Sequence, residues 1–159
     1  MSPAVTAEWL AGGGAMGELI RAADWSGTPL GARDGWPPSL RVAVGLVVES
    51  PLAMGLLWGR EWVLLFNDAW RAVVAEGHPS GLGQPARGAW AEAWAIGEPA
   101  FDAVMRRGEC VHLADQRRVL RRAGCVEEAS FTIVISPVRD EHGDVAGAHV
   151  LVRETNEQR

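Results

Sequence analysis

Two cysteines and four histidines are the side chains in this sequence that metal binding or nucleophilic catalysis would use first. Cys110 and His112 stand two positions apart, and Cys125 follows further along the chain. Sulfur and imidazole ligands suit zinc, but this spacing lacks the paired C-x-x-C pattern of a structural zinc site. A cysteine nucleophile would need a base and oriented donors around it, and the sequence marks neither. The sequence therefore predicts no metal site and no catalytic residue.

Other catalytic signatures are also missing from the sequence. Its serines have no G-x-S-x-G environment, and no glycine-rich stretch follows a strand in a phosphate-binding pattern. By that test, residues Gly12 to Gly14 form a flexible lead. A haem iron normally takes an axial histidine from a helix that faces the cofactor, whereas the histidines here fall in a loop, on two strands and in a turn, at His78, His112, His149 and His142. We therefore expect neither an enzyme nor a haem protein.

Arginine supplies every basic side chain, and six arginines lie between residues 106 and 122. Guanidinium groups bind carboxylates and phosphates through two parallel hydrogen bonds, so this stretch is a candidate for an anionic ligand or an acidic partner. Charged side chains also line the solvent face of edge strands, where they discourage aggregation. The sequence leaves both interpretations open.

Size and charge restrict the possible classes of protein. With 159 residues and 48% hydrophobic content, the chain suits one compact domain. The net charge of -5 gives no overall field that would attract nucleic acid or an anionic membrane. The long apolar run at 42–59 is interrupted by Glu49, Ser50 and Pro51, so we expect a helix and a strand there rather than membrane insertion. Two cysteines without a secretory signal predict a reducing cytoplasm.

The first half of the chain predicts two helices and then a hairpin. A short helix is expected within GELIRAADW, and a second begins after Pro37 and Pro38, where apolar residues recur at helical spacing. The runs MGLLWG and EWVLLFN indicate two strands joined by a tight turn. Asn67 or Asp68 can cap the helix that follows them.

The second half predicts a helical region and then three strands. The pattern from Ala89 to Arg107 is helical, with a break expected near Gly97 and Pro99. Apolar residues then tend to alternate in CVHLADQRRVL and ASFTIVISPV, and VAGAHVLVRE forms the final strand. These elements predict an α+β fold. Five strands would form one antiparallel sheet, with the last strand beside the first and helices packed on one face.

This order of elements, with these residues, resembles the PAS sensor domain that stands at the start of many bacterial sensor histidine kinases and diguanylate cyclases. The matching stretches are GELIRAADWSGTPLG with GWPPSLRVAV, then LLWGREWVLLFNDAWR, GHPSGLGQPARGAWAEAW and EEASFTIVISPVRDEHGDVAGAHVLVRET. The resemblance implies an N-terminal lead and helical extension at 1–35, a PAS domain at 36–155 and the start of an output linker at 156–159.

The resemblance also implies a sensory pocket between the sheet and the central helices. A mostly apolar pocket with a few polar groups suits a small molecule. The same residues are equally able to fill a core. Flavin is not expected, because light-sensing relatives use a cysteine in an Asn-Cys-Arg type helix motif and the corresponding helices here contain no cysteine. The ligand stays unidentified. The apolar lining would come from Phe66, Trp70, Trp94, Phe101, Met105, Phe131, Ile133 and Ile135, with Asn67 and His112 as polar anchors.

In this family the last strand leads into the linker to an output domain, or passes its signal to a partner kinase. No stretch of this sequence resembles an output or kinase domain. Glu154 and Thr155 match the acidic-Thr signature that marks the exit. The resemblance therefore implies a non-enzymatic bacterial regulatory domain, linked to two-component signal transduction, that passes a signal through its last strand.

Two alternatives remain open from the sequence. One is a ligandless dimerisation module, in which Trp9, Leu10, Leu19 and Ile20 would contact a second copy rather than the domain's own sheet. The other is a small enzyme that uses the cavity of the same α+β fold.

Overall fold

The computed structural model describes residues 10–71, 82, 83, 85, 91–122 and 124–155, and the side chains of these except for 91–97 and 118–122. An N-terminal helix, α1, spans Gly14–Ala22. Two short 3-10 turns follow, Trp25–Gly27 and Arg33–Gly35. The second helix, α2, spans Pro38–Glu49 and has proline in its first turn, where a missing backbone N–H removes no helical hydrogen bond.

The strands and the remaining helices occupy the rest of the described chain. The bounds are β1 Ala53–Trp58, β2 Val63–Phe66, the helical turn α3 Asp68–Trp70, α4 Ala91–Arg107, β3 Val111–Arg122, β4 Cys125–Arg139 and β5 Val145–Glu154. Helix α4 runs without interruption through Pro99, so the expected break near Gly97 and Pro99 is wrong. Pro99 is exposed, and one lost backbone hydrogen bond does not end the helix there.

Five strands form one antiparallel sheet in the order β2-β1-β5-β4-β3. The last strand lies beside the first, with Leu56 opposite His149. Strands β3 and β4 form a long hairpin whose register shifts between Leu113 and Gln116. These findings confirm the predicted α+β fold and its strand arrangement.

The inner face of the sheet carries α3 and α4 and one apolar cluster. Residues at alternate positions of the strands point into it, as expected from the period of two. Its buried members include Leu57, Leu64, Phe66, Trp70, Val104, Phe131, Ile135 and Val150.

The outer face at the β1–β2 end is covered by the N-terminal segment, which builds a second cluster. The intervening strand residues Leu56, Trp58 and Leu65 point this way and share a buried cluster with residues of α2 and with Trp25 and Trp36. Trp25 and Trp36 meet edge to face there, with ring centroids 5.2 Å apart. The sheet is therefore sandwiched at this end, a contact that the sequence pattern did not predict.

The glycine triplet at the start of α1 is packed rather than loose. Gly12, Gly13 and Gly14 have φ angles of 72°, 82° and 59°, a left-handed run that side chains with a Cβ rarely adopt. A Cβ on Gly13 would lie 2.8 Å from the Cβ of Val48, and one on Gly14 would collide with the carboxylate of Asp68. The expectation of a flexible lead is therefore corrected.

Candidate functional site

The inner face of the sheet brings together most of the predicted pocket residues. Phe66 and Trp70 are buried and stacked, with ring centroids 6.4 Å apart and planes 21° apart. Phe131 and Ile135 are buried on β4, and Ile133 packs against them. These five side chains lie in one apolar cluster on that face.

Helix α4 closes this face from the other side. Val104 is fully buried in the cluster, Phe101 packs against it, and Met105 is half-buried. Phe101 also meets the ring of Trp62 edge to face, with centroids 5.5 Å apart. The candidate set omitted Trp62, although an aromatic residue directly before β2 was a usable signal. The side chain of Trp94 lies outside the described residues.

Gly55 sets how closely the ring of Trp70 approaches the sheet. A Cβ on Gly55 would lie 3.0 Å from that ring, closer than carbon atoms normally pack. Strand β1 therefore offers a flat backbone surface to the indole. This surface is a local reason for glycine within an otherwise apolar strand.

Asn67 is the one buried polar residue within the described ranges, with 1% of its surface exposed. Its side-chain nitrogen donates to the carbonyls of Val47 and Leu52, both at 2.8 Å, and of Ser50 at 3.2 Å. Its side-chain oxygen accepts from the backbone N–H of Met54 at 3.2 Å and of Trp70 at 2.9 Å. All of its donor and acceptor capacity is therefore used inside the protein. Asn67 caps α3 and joins it to the end of α2 and to β1, so it has no capacity left to anchor a ligand.

His112 lies on the opposite face from the candidate pocket. It is exposed and pairs with Val134, whereas its neighbours Val111 and Leu113 pair with the inward residues Ile135 and Ile133. The proposed role of His112 as a pocket anchor is therefore corrected. The side chains that the structure leaves on the inner face are mainly apolar.

The predicted exit lies at the end of β5. Glu154 stands opposite Phe131, and the backbone N–H of Thr155 donates to the carbonyl of Ser130 at 2.8 Å. The end of β5 is thus paired with the strand that carries the inner-face residues. This contact places Glu154 and Thr155 within one residue of the candidate site along β4.

Two carboxylates that are far away in the sequence cap the helices of the N-terminal segment. Asp68 accepts from the backbone N–H groups of Ala15 at 3.1 Å and Met16 at 2.8 Å, in the first turn of α1. Glu141, in the β4–β5 turn, accepts from the backbone N–H of Ser39 at 2.6 Å, in the first turn of α2. That hydrogen bond lowers the pKa of Glu141. Negative charge at a helix N-terminus is favourable, so both contacts help to hold the segment on the domain.

The apolar residues suggested for dimerisation differ in how far they are buried. Leu10 and Ile20 are fully buried in the outer-face cluster of the same chain. Leu19 is 39% exposed, and Trp9 lies outside the described residues. At least two of the four side chains therefore fold back onto the domain's own sheet.

The arginine-rich stretch divides between the end of α4 and the β3–β4 hairpin. Arg106 pairs with Asp102 at 3.1 Å, and Arg107 pairs with Glu109 at 3.3 Å. All four side chains are at least half exposed, which fits solvated surface pairs.

The soft ligands identified in the sequence do not meet in one place. Cys110 and Cys125 are exposed free thiols, and the Sγ of Cys110 lies 3.4 Å from the Oγ of Ser136. Among the described residues, no three His, Cys, Asp or Glu side chains converge as a metal site. Within the same ranges, no helix has the length and apolar character needed to cross a membrane.

Solved structures with a similar fold include PAS and LOV domains. No protein-family profile matches the chain, and no curated protein sequence matches it. The chain is similar to the LOV protein of Rhodobacter sphaeroides, with a TM-score of 0.56, 14% identity, and coverage of 76% of this chain and 68% of that one. It is also similar to a sensory box sensor histidine kinase from Vibrio cholerae, with a TM-score of 0.50, 10% identity, and coverage of 75% and 94%.

A third similar structure is VqmA bound to DPO, with a TM-score of 0.51 and 13% identity. The match covers 68% of this chain and 54% of that chain, so it spans about half of VqmA. At these identities the comparisons define the fold: this chain has the fold of a PAS sensor domain.

Proposed function

We propose that this chain is a signal-sensing and signal-transducing PAS domain of a bacterial regulatory protein, without catalytic activity of its own. The observation that carries the proposal is the placement of the inner-face residues. Phe66, Trp70, Phe101, Phe131 and Ile133 lie between the sheet and the helices, where a small molecule would replace side-chain packing with its own apolar surface.

The ligand that fits this surface is a largely apolar small molecule. Asn67 is fully hydrogen-bonded within the protein, and His112 faces away from the inner face. Recognition would then depend on shape and on contacts with aromatic rings, with few directed polar contacts. VqmA, whose structure is similar in fold, has been solved bound to DPO, and this supports binding of a small molecule.

The signal would leave through β5. Ile133 pairs with Val152, and Phe131 pairs with Glu154, so a ligand that displaces either β4 side chain also acts on the last residues of β5. A ligand shifts a conformational equilibrium only as far as its affinities for the two states differ. We therefore expect the change at Glu154 and Thr155 to be a population shift, passed to an output domain or partner kinase in the cytoplasm.

A small-molecule thermal-shift screen with two matched variants tests this proposal. Ile133→Trp adds an indole to the inner face, and Val134→Trp adds the same group one residue away on the outer face. We expect compounds that stabilise the parent protein to lose their effect in Ile133→Trp and keep it in Val134→Trp. Equal responses in both variants would place binding elsewhere and remove the support for an inner-face sensor.

The second candidate function is a ligandless dimerisation module. Val42 and Leu46 favour it, since they lie one turn apart on α2 and are 63% and 67% exposed. A tightly filled inner face that binds no compound, together with a concentration-dependent dimer in analytical ultracentrifugation, would favour a dimerisation module over a ligand sensor.

A further inference from the structure

A thioether and an imidazole meet on the outer face of the sheet, away from the proposed sensory site. The Nε2 of His149 lies 3.3 Å from the Sδ of Met54, and both side chains are half-buried. Met54 belongs to β1 and His149 to the adjacent strand β5. The proposed sensor function makes no use of this pair.

The sheet fixes the relative position of the two side chains. Leu56 stands opposite His149 and Met54 stands opposite Leu151, so the pair is a diagonal neighbour contact across two hydrogen-bonded strands. Burial lowers the pKa of His149. A neutral imidazole with its proton on Nδ1 presents a lone pair at Nε2, next to the sulfur lone pairs of Met54.

This donor combination has a chemical preference. Thioether and imidazole are soft or borderline ligands without charge, and among common biological metals they suit Cu(I) rather than Mg²⁺ or Ca²⁺, which prefer oxygen. Metal bonds of about 2.0 Å to nitrogen and about 2.3 Å to sulfur would separate the two donor atoms by roughly 4 Å in an open two-coordinate geometry. The pair would have to open by about 1 Å, and the flexible side chain of methionine can supply that movement.

We propose that Met54 and His149 form a binding site for Cu(I) that links β1 to β5 on the outer face of the sheet. The ion takes the place between the two donor atoms that a hydrogen-bonding proton can otherwise occupy. The imidazole keeps one proton, on Nδ1, and the oxidation state of the copper does not change. The site is independent of a ligand on the inner face, so either proposal can fail without the other.

An anaerobic Cu(I) titration against a competing chelator tests the site. Cys110 and Cys125 are exposed thiols that would bind Cu(I) themselves, so the parent for all variants carries Cys110→Ser and Cys125→Ser. We expect this cysteine-free protein to bind one Cu(I). His149→Gln and Met54→Leu should each weaken binding at least tenfold, whereas the control His112→Gln, at an exposed histidine of the same face, should not.

Two further measurements separate loss of the site from loss of the fold. Met54→Leu keeps the volume and apolar character of the side chain, so an unchanged circular dichroism melt is expected for that variant. In the cysteine-free parent, Cu(I) should move the Nε2 nitrogen resonance of His149 and leave that of His112 in place. Absence of binding by the cysteine-free protein, or equal Cu(I) affinity in the folded Met54→Leu variant, would overturn the proposal.

Discussion

Replacing Asn67 by alanine should remove one of the largest single contributions to stability in the domain. The side chain satisfies the N–H groups of Met54 and Trp70 and bonds to carbonyls at the end of α2. A buried polar group left without a partner costs about 1–3 kcal/mol. With two N–H groups affected, we expect Asn67→Ala to lower the free energy of unfolding by about 2–6 kcal/mol, a large share of the roughly 5–15 kcal/mol that stabilises a typical domain.

Asn67→Asp separates the acceptor role of this side chain from its donor role. The introduced carboxylate keeps an acceptor for Met54 and Trp70, but its other oxygen faces the carbonyls of Val47 and Leu52, 2.8 Å from the present nitrogen. Repulsion and burial should raise the pKa of that carboxyl in the folded state above its unfolded value near 3.9. The loss in free energy of unfolding of Asn67→Asp, relative to the parent protein, should therefore be largest above the folded pKa of the new carboxyl. It should shrink as the pH falls towards the unfolded pKa.

Urea unfolding followed by tryptophan fluorescence and circular dichroism measures both variants. The control is Gln116→Ala, which removes an amide whose hydrogen bond, to the carbonyl of Ala114, is solvent-exposed. It should change the free energy of unfolding by less than about 0.5 kcal/mol. A loss below about 1 kcal/mol for Asn67→Ala, or a deficit in Asn67→Asp that grows on acidification, would refute the role assigned to Asn67.

Three further substitutions test other contacts of the structure. Gly14→Ala should destabilise the domain by about 1–3 kcal/mol, because the residue has φ 59° and its Cβ would collide with Asp68, and a neutral result in thermal unfolding would contradict this close contact. Glu141 has a lowered pKa, so the stability from its bond to Ser39 is present above the unfolded pKa and is lost as the pH falls through the folded pKa. Glu141→Gln should flatten the acid limb of the Tm against pH curve, and an unchanged slope would exclude that linkage. Pro99→Ala should raise the free energy of unfolding by about 1 kcal/mol, since it restores a backbone donor within α4, whereas a decrease would mean that proline is needed there.

The sheet was predictable because its strands follow local rules. Alternating residues such as Phe131, Ile133 and Ile135 share the inner face, as the period of two requires. The helix at 38–49 follows from its proline start and apolar spacing. The break near Pro99 was wrong because an exposed proline costs a helix one hydrogen bond without ending it.

The contacts that were not predictable join residues far apart in the chain. Asp68 bonds to a backbone 52 residues away, and Glu141 to one 102 residues away. No local pattern encodes such pairs. The close packing of the glycine triplet depends on the first of them, because Gly14 lies against the carboxylate of Asp68. The face of His112 was misassigned because the position of a residue near the start of a strand depends on register, which long-range pairing fixes.

Native mass spectrometry of the purified protein, compared with denaturing mass spectrometry of the same sample, is the most direct test of an inner-face sensory site. A small molecule that is retained in the native spectrum, lost on denaturation, kept by Val134→Trp and absent from Ile133→Trp is the predicted result. Ligand-free masses for all three proteins, with a dimer as the main species, would contradict the sensory site and favour a pairing module.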